Sequence, residues 1–148
     1  MSWLCCSCIR CSRKFDEESE SLRVLRFVKG NGLNLQHEPR FRIDRSIVLE
    51  AVTQNGLALE YASRALRADR DVVLQAAKQN GYALEYAADV LRSDREVVLQ
   101  AIRQNPHSLE WASIVLLGDR EVIREAVLID ATAVRFAFFR GAFAPPRR

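Results

Sequence analysis

Apolar residues recur along this chain in two alternating stripes. Val73, Ala76, Ala77 and Asn80 fall at i, i+3, i+4 and i+7, with Val72 and Leu74 widening the stripe. That spacing puts them on one face of an α-helix. A second stripe, Leu84, Ala87, Ala88 and Leu91, flanked by Tyr86 and Val90, predicts another helix over about 82–92. Polar residues collect on narrow outer strips: Asp71, Gln75 and Lys78 on the first helix, and Glu85, Asp89 and Arg92 on the second. Each apolar arc covers close to half a turn or more. That is too broad for one contact, and it suits a helix that touches its own partner and the units on either side.

The same pair of stripes returns every 25 residues. Asp44, Asp69, Asp94 and Asp119 form one column, Asn55, Asn80, Asn105 and Asp130 a second, and Leu59, Leu84, Leu109 and Val134 a third. Tyr61, Tyr86, Trp111 and Phe136 form a fourth, each followed by alanine. A weaker copy upstream, "VLRFVKGNGLNLQH", aligns with "VLEAVTQNGLALEY" at a spacing of 24. Each column has a structural assignment. The aspartates read as N-caps, whose carboxylates accept orphan backbone N–H groups. Asp71 adds negative charge where the helix dipole favours it. Asn80-Gly81 reads as a stop, because both residues tolerate a left-handed C-cap. Gly30 and Gly32 fit a helix-ending turn in the same way.

The expected fold is therefore all-α: a right-handed-type α-solenoid of about five stacked helix-pair repeats, some ten short helices in all. The units are 20–43, 44–68, 69–93, 94–118 and 119–143, forming one repeat domain over 20–143. Residues 1–19 are a cysteine-rich tail and 144–148 a second tail. Helices of about ten residues are marginal alone, so stability is expected to come from stacking.

The unit D-R-[ED]-V-V-L-x-A-x-x-Q-N-G-x-A-L-x-Y-A stands in Asp69–Gln75, Gln79–Gly81 and Ala83–Ala87, and again in Asp94–Gln100, Gln104–Asn105 and Leu109–Ala112. It resembles the repeats of domain of unknown function 4116. The resemblance implies a helical array and brings no established activity and no catalytic residues. Two departures stand out. Pro106-His107 replaces the glycine after Asn105, and Arg124 occupies a leucine position in the last unit.

Charge changes this picture little. The chain has 22 basic and 19 acidic residues, a formal +3. Residues 44–118 carry 8 basic and 10 acidic side chains, so the repeated centre is slightly acidic and the ends are basic. A nucleic-acid binder should show a basic stripe on its folded part, so nucleic acid is disfavoured as a partner. No stretch approaches the ~20 apolar residues of a spanning helix. The expected location is cytoplasmic.

Candidate chemistry is sparse. His37 and His107 stand alone, and there is no H-E-x-x-H, no G-x-S-x-G and no phosphate-binding glycine loop. No enzyme activity, metal or cofactor is expected. The remaining candidates are surfaces. Glu60, Glu85, Asp89 and Arg92 lie on an outer strip, and Phe138 and Phe139 in an aromatic C-terminal stretch, as contacts for a protein partner. Glu60, Glu85 and Glu110 repeat at ~10 Å steps, too far apart to share an ion. Cys5, Cys6, Cys8 and Cys11 crowd into "CCSCIRC" beside Arg10, Arg13 and Lys14. Three readings stay open there: S-acylation that tethers a membrane-peripheral adaptor, metal binding, or free thiols on a disordered tail.

Overall fold

The computed structural model describes residues 20–134, and these are helical, without strands. Helix α1 runs through 20–30. It is followed by α2 (Arg45–Gln54), α3 (Arg70–Gln79), α4 (Asp89–Arg92), α5 (Arg95–Gln104), α6 (Ile114–Leu117) and α7 (Arg120–Ile129). Each ten-residue helix hands over to a 3-10 helix: α2 to Gly56–Tyr61, α3 to Gly81–Tyr86, α5 to Pro106–Trp111 and α7 to Ala131–Val134. Helices α2, α3, α5 and α7 lie side by side in chain order, and each packs against the next. The 3-10 helices form their own neighbouring row.

One continuous core runs through these units. Val72, Val73, Ala76 and Ala77 are fully buried in α3, as are Val97, Val98, Ala101 and Ile102 in α5. Leu59, Leu84 and Leu109 are buried from the 3-10 row. Alanine at positions 76 and 101 keeps successive backbones close. Burying the larger of these side chains supplies roughly 1.5–3 kcal/mol each. One repeated position departs from this chemistry: Ser108, where earlier units carry Ala58 and Ala83, is fully buried and its hydroxyl has no hydrogen-bond partner.

The second element of each unit is not the continuous helix its apolar spacing predicts. After Gly81–Tyr86, Ala87 and Ala88 adopt extended backbone, and the chain turns into the four-residue α4. The cause lies in the preceding unit. The Ala88 N–H donates to the Arg67 carbonyl at 2.9 Å, where a helix would have kept it for its own turn. Ser63 N–H donates likewise to Arg42 at 2.8 Å, and Ser113 N–H to Arg92 at 2.9 Å. Leu84, Ala87 and Leu91 are still buried, so the stripe was right about burial and wrong about helix. Val90, expected at the edge of that stripe, instead projects outward, 78% exposed.

The Asn-Gly stop also works differently. Asn55, Asn80 and Asn105 are extended, with φ near −150°, not left-handed. Each ends its α-helix through its own N–H, Asn80 donating to the Ala76 carbonyl at 2.8 Å. Each then opens the 3-10 helix, as its Oδ1 accepts the N–H two residues on, 3.0 Å for Tyr82. Gly81 is required for space. A Cβ there would stand 2.5 Å from the Ala101 carbonyl oxygen of the next unit, and one at Gly56 would stand 2.5 Å from that of Ala76. Gly32 faces the Ala51 carbonyl in the same way, whereas a Cβ on Gly30 would meet nothing.

At this close approach the units are clipped together. The Gly56 N–H donates to Gln79 Oε1 at 2.5 Å, and the Gly81 N–H to Gln104 Oε1 at 2.5 Å. At the third joint both halves change. Pro106 has no N–H to give, and Ile129 stands where the glutamine would be.

Candidate functional site

The repeated polar residues are occupied in joining units. The Oδ1 of Asp69 accepts the N–H groups of Asp71 and Val72 at 3.0 and 3.4 Å, and Asp44, Asp94 and Asp119 cap their helices identically. The other oxygen faces the preceding unit. Arg45 Nε donates to Asp69 Oδ2 at 2.8 Å, and its Nη2 to Asp71 at 2.7 Å. Arg70 bridges Asp94 (3.0 Å) and Glu96 in the same way, and Arg95 reaches Asp119 (3.6 Å) and Glu121. Sequence reading assigned the caps and missed this arginine column. The signal was present in the letters: an arginine directly after each aspartate, with an acid or serine following it.

These contacts tune the carboxylates. The Arg45 hydrogen bond, aided by backbone N–H groups, holds Asp69 below the usual aspartate range. Burial pushes Asp94 up, but Arg70 and the backbone donors outweigh it and the net is a lowered value. Asp44 has no such arginine, and there the Ser46 hydroxyl, donating at 2.6 Å, is the chief cause of lowering. Asp69 and Asp94, held as anions with both oxygens engaged, are joint parts and poor general bases.

The predicted contact residues lie elsewhere. Glu60 and Glu85 are exposed on their 3-10 helices. Both act on the half-buried Tyr86, whose hydroxyl is pushed up by burial first and then by the charges of Glu85 and Glu60. Asp89 and Arg92 form an ion pair within α4. They line a shallow groove of about 290 Å³ with Ser93, Trp111, Ser113 and Ile114. Beside it stand the exposed apolar side chains of Val90 and Val115, which the burial stripe had not anticipated. The structure thus groups Glu60 with Glu85, and Asp89 with Arg92.

Phe136 lies outside the described residues, and the described part of the aromatic column serves the core. Tyr61, Tyr86 and Trp111 are half-buried against it, and the Arg42 guanidinium lies 5.8 Å from the Tyr61 ring centre, within cation–π range. His107 faces Asp130 at 3.5 Å. Among the described residues no group of three or more metal-ligating side chains converges, and no helix is long and apolar enough to cross a membrane. Phe138, Phe139 and Cys5, Cys6, Cys8 and Cys11 lie outside the described residues.

The comparisons agree with the tandem organisation. The family model for domain of unknown function DUF4116 matches twice, over residues 23–67 and 69–117, and the chain belongs to that family. No curated protein and no solved structure matches the chain.

Proposed function

We propose that the chain is a non-enzymatic helical-repeat scaffold that binds protein partners or serves as a subunit of a larger assembly. In this reading it is a right-handed α-solenoid of about five helix-pair units, spanning 20–143. The observation that carries the reading is the use of the repeated polar groups. Asp69, Arg70, Gln79 and Asn80 are engaged in caps and joints, as are Arg45, Asp94, Arg95, Gln104 and Asn105. What remains for recognition is surface: Glu60 and Glu85, the Asp89–Arg92 groove beside Trp111, and the aromatic stretch with Phe138 and Phe139.

Affinity purification with mass spectrometry tests it. A partner retained by the native chain and lost by the combined variant Glu60→Lys, Glu85→Lys and Asp89→Lys supports the outer strip as a contact. A strictly monomeric species in native extract, with nothing co-eluting, refutes the scaffold reading.

A second reading rests on the four cysteines that lie within seven residues beside basic ones. In it the chain is a membrane-peripheral adaptor held by S-acylation of Cys5, Cys6, Cys8 and Cys11, since two lipid chains hold a protein on a membrane where one is marginal. Acyl-exchange labelling checks this, and absence of thioester removes it.

A further inference from the structure

Each interior helix presents one stripe to the unit that follows. In α5 the stripe is Arg95, Val98, Leu99, Ile102 and Arg103, at i, i+3, i+4, i+7 and i+8. Its two ends touch the next unit directly: Arg95 reaches Asp119 and Glu121, and Arg103 Nε lies 2.9 Å from Glu125 Oε1. Between them Val98 and Ile102 are wholly buried. The equivalent stripe of α7 is Arg120, Ile123, Arg124, Val127 and Leu128. There Val127 is 42% and Leu128 72% exposed, and Arg120 has no carboxylate partner among the described residues. Ile123 is buried, but among the described residues no second half of a joint covers the Val127–Leu128 end of this stripe.

The stripe also states what it would accept. At the three joints from α2 to α7 the arginine at its head meets an N-cap aspartate and an acid two residues later. Arg124, where α5 has Leu99, adds a second guanidinium beside Arg120. Leu128, where α5 has Arg103, removes the need for an acid at the tail of the stripe and replaces it with apolar surface. Residues 135–148 carry four arginines and no aspartate or glutamate, so they hold no side-chain carboxylate to offer.

The geometry points to the outer face of α7 as a docking site for an amphipathic helix of a partner protein, one whose first turn carries at least two carboxylates and whose later turns are apolar. The inference rests on the scaffold reading and assigns it a particular surface. The carboxylates of such a helix would sit at its own N-terminus, where its dipole favours them. Arg120 and Arg124 would meet them there, while Val127 and Leu128 cover the apolar turn.

A synthetic peptide of residues 94–118, labelled with fluorescein, is the probe, because its first helix has this composition: Asp94 and Glu96, then Val97, Val98, Ala101 and Ile102. Titrated with the full chain and followed by fluorescence anisotropy, it should bind saturably and weaken as salt rises. Arg120→Glu and Leu128→Asp should each weaken binding about tenfold or more, while Lys29→Glu, exposed on α1, leaves it unchanged. Both altered positions are exposed, and circular dichroism verifies folding. Arg120→Gln and Leu128→Ser stand in if a charged variant fails to fold. Absence of binding, or binding indifferent to Arg120 and Leu128, overturns the assignment. So does self-association of the chain in sedimentation that the same variants abolish, because the face would then belong to a second copy. A cellular partner held equally by native and Arg120→Glu chains would refute this surface and leave the scaffold reading intact.

Discussion

Gly81→Ala should destabilise the chain although it adds one methyl group to a helical position. The new Cβ would stand 2.5 Å from the Ala101 carbonyl oxygen, 3.0 Å from Gln104 Oε1 and 3.1 Å from the Asn105 Cβ. The nearest of these is backbone in the middle of α5, which cannot swing aside. Restoring ordinary contact requires the units to part by about 1 Å, an overpacking cost of roughly 1–3 kcal/mol. Parting also lengthens the Gly81–Gln104 clip, a hydrogen bond contributing about 0.5–1.5 kcal/mol net. Reduced freedom of the unfolded chain offsets roughly 0.4–1 kcal/mol. The balance is about 2 kcal/mol of lost stability, and a folded region of this size should lose about 8 °C in Tm. Gly118→Ala is the control. Its backbone is already near-helical (φ −89°, ψ −9°) and its nearest neighbour, the Val115 carbonyl, is 3.5 Å away. That variant should gain roughly 0.4–1 kcal/mol. Thermal melts followed at 222 nm compare the two. Equal shifts, or a rise for Gly81→Ala, would refute the reasoning that the glycine is there for space.

Three further outcomes follow from the joints and the core. Asp94→Ala removes both the α5 cap and the Arg70 contact and should cost about 1 kcal/mol or somewhat more, whereas Asp94→Asn keeps the cap and should cost less; urea titration separates them. Asp44, Asp69 and Asp94 all have folded values below that of a free aspartate, about 3.9. Their contribution is therefore complete above that value and is lost as pH falls below about 4 toward the folded value. Denaturation midpoints measured from pH 6 to 2 should fall over that lower range, and a flat profile would contradict the assignment. Ser108→Ala should raise stability by about 1 kcal/mol, because the buried hydroxyl has no partner; a fall in Tm would show that it is satisfied.

The sequence displayed burial more faithfully than backbone. Asp69 as a cap and Val73, Ala76 and Ala77 as core could be read from residue type and 3.6-residue spacing, because both depend on interactions within one helix. The break at Ala87–Ala88 could not, since it depends on a hydrogen bond to Arg67, 21 residues back. Gly81 was assigned the wrong reason for a similar cause: the atom that excludes a side chain belongs to another unit. Arg45, Arg70 and Arg95 were legible as a column but not as bridges, because their partners lie 24 and 26 residues ahead and meet them only once units pack. Glu60, Glu85, Asp89 and Arg92 were found as surface residues by polarity alone. The groove that joins two of them to Trp111 came from the turn into α4.

The Gln–Gly clip and its replacement at Pro106 and Ile129 set which units are interchangeable. Excising 69–93 would bring Gly56 opposite Gln104 and Arg45 opposite Asp94 and Glu96, recreating a seam of the same chemistry. Excising 94–118 would bring Gly81 opposite Ile129, leaving its N–H facing a side chain that cannot accept it. The array can thus change length at one place without changing its seams.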